Sequence, residues 1–199
     1  GVRTPIVRRI AKQYYPKDIH KTDLFLLCET LLKNKTMEET IIAFQWVRKK
    51  EKEFEKKDFI LFSTWIKKYV TNWAFCDDFC THAFGSLIYR QKELLPKIFA
   101  WTTSKNRWQR RAAAVTLIYL IKKKDKNILT HVYATADALL TDPDDLVQKG
   151  YGWMLKEASN IWPANIFHFV MKRKDTMPRT ALRYAIEKYP KEMKQEAMK

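Results

Sequence analysis

The feature of this sequence that most limits its fold is the spacing of its apolar residues, which recur every three or four positions along most of the chain. Leu24, Leu27, Cys28 and Leu31 are one example, and this spacing places them on one face of an α-helix. Strand signals are poor, since there is no Asn-Gly or Asp-Gly hairpin dipeptide and little strict alternation. Only four Gly and seven Pro occur in 199 residues, which favours helices over a turn-rich β fold. The sequence therefore predicts an all-α protein.

Two pairs of residues mark helix starts near the N-terminus. Thr4 followed by Pro5 is typical of a helix start, with Thr4 as the N-cap and Pro5 at the first helical position. Thr36 and Glu39 have the spacing of a capping box, in which the two residues satisfy each other's free backbone donors. We therefore expect helices to begin directly after Thr4 and directly after Thr36.

A short pattern occurs twice in the second half of the chain. Trp108-Gln109-Arg110 and Val147-Gln148-Lys149 each open a predicted helix, and Gln148 follows Gln109 by 39 residues. This spacing is close to the roughly 40–47 residues of HEAT-type repeats. No linker rich in Gly, Ser or Pro divides the chain. We predict a single HEAT-like-repeat α-solenoid over residues 1–199, a curved superhelix of antiparallel helix pairs whose concave face is a binding surface.

The chain is strongly basic, and this bears on its partners. It has 38 Lys and Arg against 22 Asp and Glu, which gives a formal net charge of +16. A polyanion, either nucleic acid or an anionic membrane, is the natural partner of such a chain. Lysines on solvated helix faces would account for much of the same charge. The charge by itself therefore does not decide between a nucleic-acid partner and a solvated surface.

Cysteine usage and hydropathy indicate the compartment. Cys28, Cys76 and Cys80 are an odd and sparse set, so we expect no disulfide framework and a reducing cytosol. The opening residues GVRTPIVRRI lack the apolar run of a secretory signal. No apolar stretch approaches the roughly 18 residues of a membrane span. We expect a soluble cytoplasmic protein that does not enter a membrane and that acts as a monomer.

Four residues on three predicted helices are candidates for chemistry. Trp73 and Asp77 lie four positions apart on the helix that starts near Asn72, and so share a face. Arg111 and Trp153 lie on two further predicted helices. Each has an ordinary structural interpretation: a core Trp, an Asp that caps a helix or faces its dipole, and an Arg paired with such an Asp. Taken singly, each of the four residues fits that structural role best.

Taken together, these residues fall in blocks that resemble the AlkD-like DNA alkylation-repair family. The opening GVRTPIVRR resembles that family's G-[VI]-x-T-P-x-x-R-R segment, and NWAFCDDFCTHAFG resembles its N-W-D-L-x-D segment. NRWQRRAAAV is similar to its N-x-W-x-x-R-A-A block, and VQKGYGWMLKEAS to its [IV]-Q-K-A-x-G-W-x-L-R-E block. MPRTALRYAIEKYP is similar to its final helix. The blocks keep their order over essentially the whole chain.

The resemblance implies a catalytic role for all four candidates. The family's catalytic Asp falls on Asp77, its aromatic partner one turn earlier on Trp73, its catalytic Arg on Arg111 and its second Trp on Trp153. One departure is Ala74, which stands where the family has the first Asp of its N-W-D segment.

The neighbouring Asp78 could be mistaken for the catalytic group. Asp77 is preferred because it lies four residues after Trp73 and eight before Gly85, which fits the family pattern without a gap. A further departure lies at the start, since the family has one or two helices before the G-x-x-T-P segment. We expect this chain to lack those first helices, which would trim the DNA-binding cleft at one end.

The implied activity is that of a DNA glycosylase that removes positively charged alkylated purines, such as 3-methyladenine and 7-methylguanine, in base excision repair. A cationic purine leaves without a general acid, so the enzyme needs a carboxylate for the developing sugar cation and aromatic faces for cationic groups. Asp77 would be the carboxylate, and Trp73 and Trp153 the aromatic faces. Arg111 would hold a phosphate beside the lesion and keep Asp77 ionised. The resemblance also implies that the concave surface holds the DNA backbone and that the lesion can remain stacked in the duplex.

Double-stranded DNA is the implied partner, and phosphate contacts would come from basic side chains. The candidates to line the cleft are Arg8, Arg9, Lys12, Arg107, Arg110, Lys149, Lys172, Arg173, Lys174, Arg179 and Arg183. Such contacts predict that the affinity for duplex DNA falls steeply as salt is raised, because bound phosphates release their counterions. A binding titration at two salt concentrations checks this, and an affinity that hardly changes contradicts it.

Cys76, Cys80 and His82 also resemble part of a metal site. A structural zinc site needs four ligands, and no Cys-x-x-Cys pair or nearby second His completes this one. Two Cys four residues apart on an apolar helix are typical of core residues. We therefore predict no metal and no cofactor.

Two other functions fit part of the same pattern. A non-catalytic HEAT-like DNA-binding paralogue would keep the fold without the activity, and Ala74 is compatible with it. A protein-binding α-solenoid would direct the positive charge at an acidic partner. Retention of the four candidate residues argues against both, because a scaffold has no need of that set. Base release distinguishes a glycosylase from the non-catalytic DNA-binding paralogue. Salt-sensitive DNA binding distinguishes both of these from the protein-binding solenoid.

Overall fold

The computed structural model describes residues 1–199, and the chain folds into helices joined by short turns, without strands. The all-α prediction is confirmed. The helices are α1 Thr4–Gln13, α2 Lys21–Lys33, α3 Met37–Arg48, α4 Asp58–Tyr69, α5 Trp73–Phe79, α6 Gly85–Arg90, α7 Leu95–Phe99, α8 Arg107–Lys122, α9 Ile128–Ala138, α10 Asp145–Ser159, α11 Pro163–Met171, α12 Arg179–Ala185 and α13 Lys191–Met198. A π-helical turn, Cys80–Phe84, joins α5 to α6, and 3₁₀ turns cover Glu51–Glu53, Lys92–Leu94 and Ala100–Thr103.

Six helices pack side by side in a row, which we call the main row: α1, α3, α5, α8, α10 and α12. The helices between them form a second layer, in which α2 packs on α3, α9 on α8 and α10, and α11 on α10. Buried apolar side chains form one continuous core from Leu24 to Ala197. This arrangement confirms the HEAT-like helical repeat fold, in which each pair of helices buries its apolar face against its neighbours.

Polar caps set the starts of three helices of the main row. Asn72, Asn106 and Asp144 precede α5, α8 and α10, and each side-chain oxygen accepts a hydrogen bond from a backbone N–H of the first turn, at 2.9, 2.8 and 3.0 Å. Such caps satisfy donors that the helix itself leaves free. The start of each helix decides which of its residues face the neighbouring helix.

The two predicted N-terminal caps have different outcomes. Thr36 caps α3 as expected, since its hydroxyl accepts from the Glu39 N–H at 3.2 Å, but only this half of the capping box forms: the Glu39 carboxylate accepts from the Thr36 hydroxyl at 2.7 Å and not from the Thr36 N–H. The expectation for Thr4 is wrong by one residue, because α1 already begins at Thr4 and its N-cap, Arg3, makes no side-chain cap. Pro5 lies within the first two helical positions, and its fixed φ suits either of them.

The π-helical turn after α5 was not anticipated from the sequence. In this turn the Thr81 hydroxyl donates to the Asp77 carbonyl at 2.7 Å, and His82 Nδ1 lies 2.8 Å from the Asp78 carbonyl. Gly85, the first residue of α6 after this turn, lies so close to α8 that a Cβ there would be 2.5 Å from the Tyr119 Cβ. The extra residue of a π turn often marks a functional site, and here it follows Asp77 by one turn.

Gly152 allows α10 and α12 to approach each other closely. A Cβ at this position would lie 2.8 Å from both the Ala181 carbonyl oxygen and the Tyr184 Cβ. Gly152→Ala is therefore expected to lower the free energy of unfolding by about 1–3 kcal/mol, as overpacking of a core does. Urea denaturation measures this. A variant that gains stability instead, as the higher helix propensity of Ala would give by about 1 kcal/mol, contradicts the close approach.

Candidate functional site

The four candidate residues line one pocket of about 380 Å³ on the main row. It is built from α5, α8, α10 and α12, and its lining consists of Trp73, Asp77, Arg111, Leu146, Lys149, Trp153, Lys156 and Tyr184. The candidates come from three helices that are far apart in the sequence. Their meeting in one pocket follows from the stacking of α5, α8 and α10 in the row.

Asp77 and Arg111 form a bidentate pair at this pocket. Arg111 Nε donates to Asp77 Oδ1 and Nη2 donates to Oδ2, each at 2.8 Å. Arg111 Nη1 donates to the carbonyl oxygen of Leu146 in α10. The side chains of Arg111 and Asp77 are 6% and 14% exposed. The fork of the guanidinium therefore holds the carboxylate in one orientation between α5, α8 and α10.

Burial and the pair act in opposite directions on the acidity of Asp77. Burial raises the pKa of Asp77 above its ordinary value, and the hydrogen bonds and charge of Arg111 offset part of this rise. Arg111 by itself lowers the pKa of Asp77, which agrees with the expectation that Arg111 favours the ionised carboxylate. The net pKa of Asp77 is nevertheless raised, because desolvation is the larger effect.

Three aromatic side chains surround the Asp77–Arg111 pair. Trp73 is 56% exposed, which is unusual for so large an apolar side chain. Trp153 is half-buried, and its indole N–H donates to Glu157 Oε1 at 2.8 Å. Tyr184 of α12 is the third, and sequence reasoning missed it, although it lies in the block MPRTALRYAIEKYP that resembles the family's final helix. The pocket thus offers both aromatic surface and a carboxylate to a cationic group.

Two lysines line the same pocket, and each is paired with a carboxylate. Lys149, a predicted DNA-binding residue, lies 2.8 Å from the carboxylate of Asp145. Lys156, which the sequence did not single out, lies 3.0 Å from Glu187 and over the ring of Tyr184. Both ammonium groups are therefore placed at the pocket and held near their carboxylates.

The other predicted DNA-binding residues on α8 and α12 differ in their exposure and in whether they form ion pairs. Arg107 pairs with Asp144 at 2.9 Å and remains 53% exposed. Arg110 donates to both oxygens of Asp142 at 2.6 and 3.3 Å, so it is engaged with the turn before α10. Arg183 is exposed and makes no ion pair.

The remaining predicted basic residues lie away from the pocket. Lys172 and Arg173 line a separate cavity of about 410 Å³ between α9 and α11. Arg173 pairs there with Asp137 and lies 3.7 Å from the centre of the Phe169 ring. The structure does not bring these residues together with Asp77. Five more are spread over the chain: Arg8, Arg9 and Lys12 are exposed on α1, Lys174 donates to the Glu196 carbonyl oxygen, and Arg179 donates to the Met198 carbonyl oxygen.

Asp78 does not line the pocket, although it neighbours Asp77. Its carboxylate lies 3.5 Å from His82 Nδ1, and the charges of Arg8 and Arg48 also reach it. Burial raises the pKa of Asp78, and these three groups oppose the rise. The geometry therefore supports the sequence preference for Asp77 over Asp78 as the pocket carboxylate.

No group of three His, Cys, Asp or Glu side chains converges on a point where a metal ion could bind. Cys28, Cys76 and Cys80 are free and buried. The Cys76 thiol lies 3.6 Å from the Trp108 carbonyl oxygen, and burial raises its pKa. The expectation of a metal-free protein stays a prediction. None of the helices has both the length and the apolar character needed to cross a bilayer.

The fold and the pocket define a helical-repeat protein that carries a carboxylate–arginine pair between aromatic rings. A family model described as DNA alkylation repair enzyme matches residues 1–189. The chain therefore belongs to this family, which implies DNA binding, and the resemblance inferred from its motifs is confirmed.

Three solved structures share the fold at low sequence identity. A predicted DNA alkylation repair enzyme from Enterococcus faecalis has a TM-score of 0.83 and 21% identity, over 96% of this chain and 88% of its own. AlkD2 from Streptococcus mutans has a TM-score of 0.70 and 20% identity, over 96% and 92%. The protein smu.31 from Streptococcus mutans UA159 has a TM-score of 0.61 and 20% identity, over 98% and 96%. No curated protein matches the chain.

Proposed function

We propose that this protein is a DNA glycosylase that releases positively charged alkylated purines, of the 3-methyladenine and 7-methylguanine type, from duplex DNA. One observation carries the proposal: the Asp77 carboxylate is fixed by Arg111 at a pocket whose walls include Trp73 and Trp153. A purely structural pair would not need two tryptophans beside it, one of them largely exposed. Membership of a DNA repair family supports the choice of substrate.

The chemistry needs only hydrolysis of the N-glycosidic bond. The bond between C1′ and the purine nitrogen breaks with its electrons going to the base, which leaves as a neutral molecule because it was cationic. The sugar becomes oxocarbenium-like, and a negative carboxylate stabilises that charge. Water then adds to C1′ and gives a proton to Asp77, which passes it to solvent. No general acid, metal or redox cofactor is needed for this balance.

The aromatic rings and the lysines have separate tasks in this proposal. Trp73, Trp153 and Tyr184 would lie against the sugar and its neighbours, where their faces attract positive charge. Lys149 and Lys156 would exchange their carboxylate partners for phosphates of the bound strand. Arg111 has little exposure left for a phosphate, so its main task would be to hold Asp77.

The rate of base release should depend on the ionised form of Asp77. Because burial raises the pKa of Asp77, the rate is expected to fall as the pH is lowered through a range above that in which an ordinary aspartate titrates. The single-turnover rate of 7-methylguanine release, measured over a range of pH with all of the DNA bound by protein, shows this decrease. The same profile for Asp78→Asn serves as the control, since Asp78 is also a buried carboxylate. If the decrease in rate at low pH shifts in Asp78→Asn, the titrating group is Asp78 and its assignment to Asp77 is wrong.

Base release from duplex DNA containing 7-methylguanine tests the proposal directly. Release above the spontaneous rate, with none from undamaged DNA, is the expected result. Tight, salt-sensitive DNA binding without release would favour a non-catalytic DNA-binding paralogue, with Ala74 in the first turn of α5 as the first residue to revert to Asp. Weak DNA binding that is insensitive to salt would favour a protein-binding solenoid.

A further inference from the structure

Glu157 is a carboxylate whose hydrogen-bond partner is one of the tryptophans that line the pocket. It lies one turn after Trp153 on α10, and its Oε1 accepts the indole N–H at 2.8 Å. Its other oxygen accepts no hydrogen bond from the protein, and Glu157 takes part in none of the ion pairs. The side chain is half-buried. The charge of Glu157 is thus directed at a tryptophan and not at a cation.

The other carboxylates around the pocket contrast with Glu157. Asp77 is paired with Arg111, Asp145 with Lys149 and Glu187 with Lys156. Each of these negative charges is offset by a positive group within hydrogen-bond distance. Glu157 therefore carries a negative charge near the pocket that no paired cation offsets, and its hydrogen-bond partner is the indole of Trp153.

A carboxylate that accepts an indole N–H has two physical effects on the ring. The charge-assisted hydrogen bond is stronger than a neutral one, so it restrains the rotation of the indole. The negative charge at the N–H edge also raises electron density over the ring, which strengthens the attraction between the ring face and a cation. Both effects would bear on whatever Trp153 contacts in the pocket.

We infer that Glu157 is a positioning residue that holds Trp153 and makes the pocket prefer a positively charged sugar over a neutral one. The inference rests on the proposed function, because the cation in question is the sugar that forms as the base departs. Glu157 itself touches neither sugar nor base, and acts only through the indole of Trp153.

Two abasic analogues in otherwise identical duplex DNA test this without any chemical step. One contains a pyrrolidine, whose ring nitrogen is protonated at neutral pH, and the other contains the neutral tetrahydrofuran. The parent protein is expected to bind the pyrrolidine DNA more tightly. Glu157→Gln keeps an acceptor for the indole and removes the charge, so the preference is expected to fall by about three- to tenfold, with tetrahydrofuran affinity nearly unchanged. Glu157→Ala is expected to lose the preference and some affinity for both.

Glu192→Gln is the matched control, because Glu192 is an exposed carboxylate on α13 that does not line the pocket. It removes the same charge from the protein and is expected to keep the parent preference. An equal loss in Glu157→Gln and Glu192→Gln, or no loss in Glu157→Gln, overturns the inference. So does a parent without any preference. If the parent protein shows no preference for the pyrrolidine DNA but still releases 7-methylguanine, the inference about Glu157 is wrong and the glycosylase proposal still holds.

Discussion

Asp77→Asn is expected to slow the release of 7-methylguanine by at least about a hundredfold, the loss typical of removing one charged catalytic or oxyanion-type group. The amide keeps the shape of the carboxylate but has neither the negative charge for the sugar nor a site for the proton of water. DNA affinity should change little, since Asp77 is not a phosphate-binding group. Single-turnover release at saturating protein separates the chemical step from binding.

Asp78→Asn is the matched control for this loss. It makes the same substitution at the adjacent position, but Asp78 faces His82 and does not line the pocket. We expect its release rate to stay near that of the parent. If Asp78→Asn abolishes release while Asp77→Asn does not, the assignment of the carboxylate is shifted by one residue. Thermal unfolding of both variants shows whether either has simply lost the fold.

Local sequence signals predicted the parts of the site that depend on single helices. The sequence predicted a helix that starts near Asn72, and Asn72 caps α5; the four-residue spacing of Trp73 and Asp77 puts both on one face. That Arg111 meets Asp77 required the family resemblance, because no local signal relates residues 34 positions apart. The structure explains the meeting through the packing of α5 against α8.

The parts that could not be predicted depend on packing between helices. Tyr184 of α12 reaches the pocket because Gly152 lets α12 come close to α10, and it lies there beside Lys156, which belongs to α10 itself. Arg110 and Arg111 look alike in sequence, yet neighbours on a helix point about 100° apart. Arg111 therefore faces Asp77 while Arg110 faces Asp142. The arrangement of the neighbouring helices explains why Arg111, which the family resemblance singled out, lines the pocket while Arg110 does not.

Arg111→Met is expected to have the largest effect on stability, a loss of about 3–5 kcal/mol in the free energy of unfolding. The substitution leaves the carboxylate of Asp77 in a largely buried position without its two donors, and removes the hydrogen bond from Arg111 to the Leu146 carbonyl oxygen. The 14% exposure of Asp77 admits some water, which places the expected loss toward the lower end. Arg107→Met is the control, since Arg107 is on the same helix and its side chain is 53% exposed in its pair with Asp144, so the expected loss is about 1 kcal/mol or less.

A double-mutant cycle with Asp77→Ala shows whether the loss belongs to the pair. The buried charge causes most of the cost, so Asp77→Ala with Arg111→Met should be more stable than Arg111→Met alone, with a coupling of about 0.5–3 kcal/mol. Urea denaturation of the parent, both single variants and the double variant measures it. Additive losses would mean that Asp77 and Arg111 are not paired in solution. A measured coupling, together with loss of base release in Asp77→Asn, would mean that one ion pair both joins α5 to α8 and sets the catalytic carboxylate.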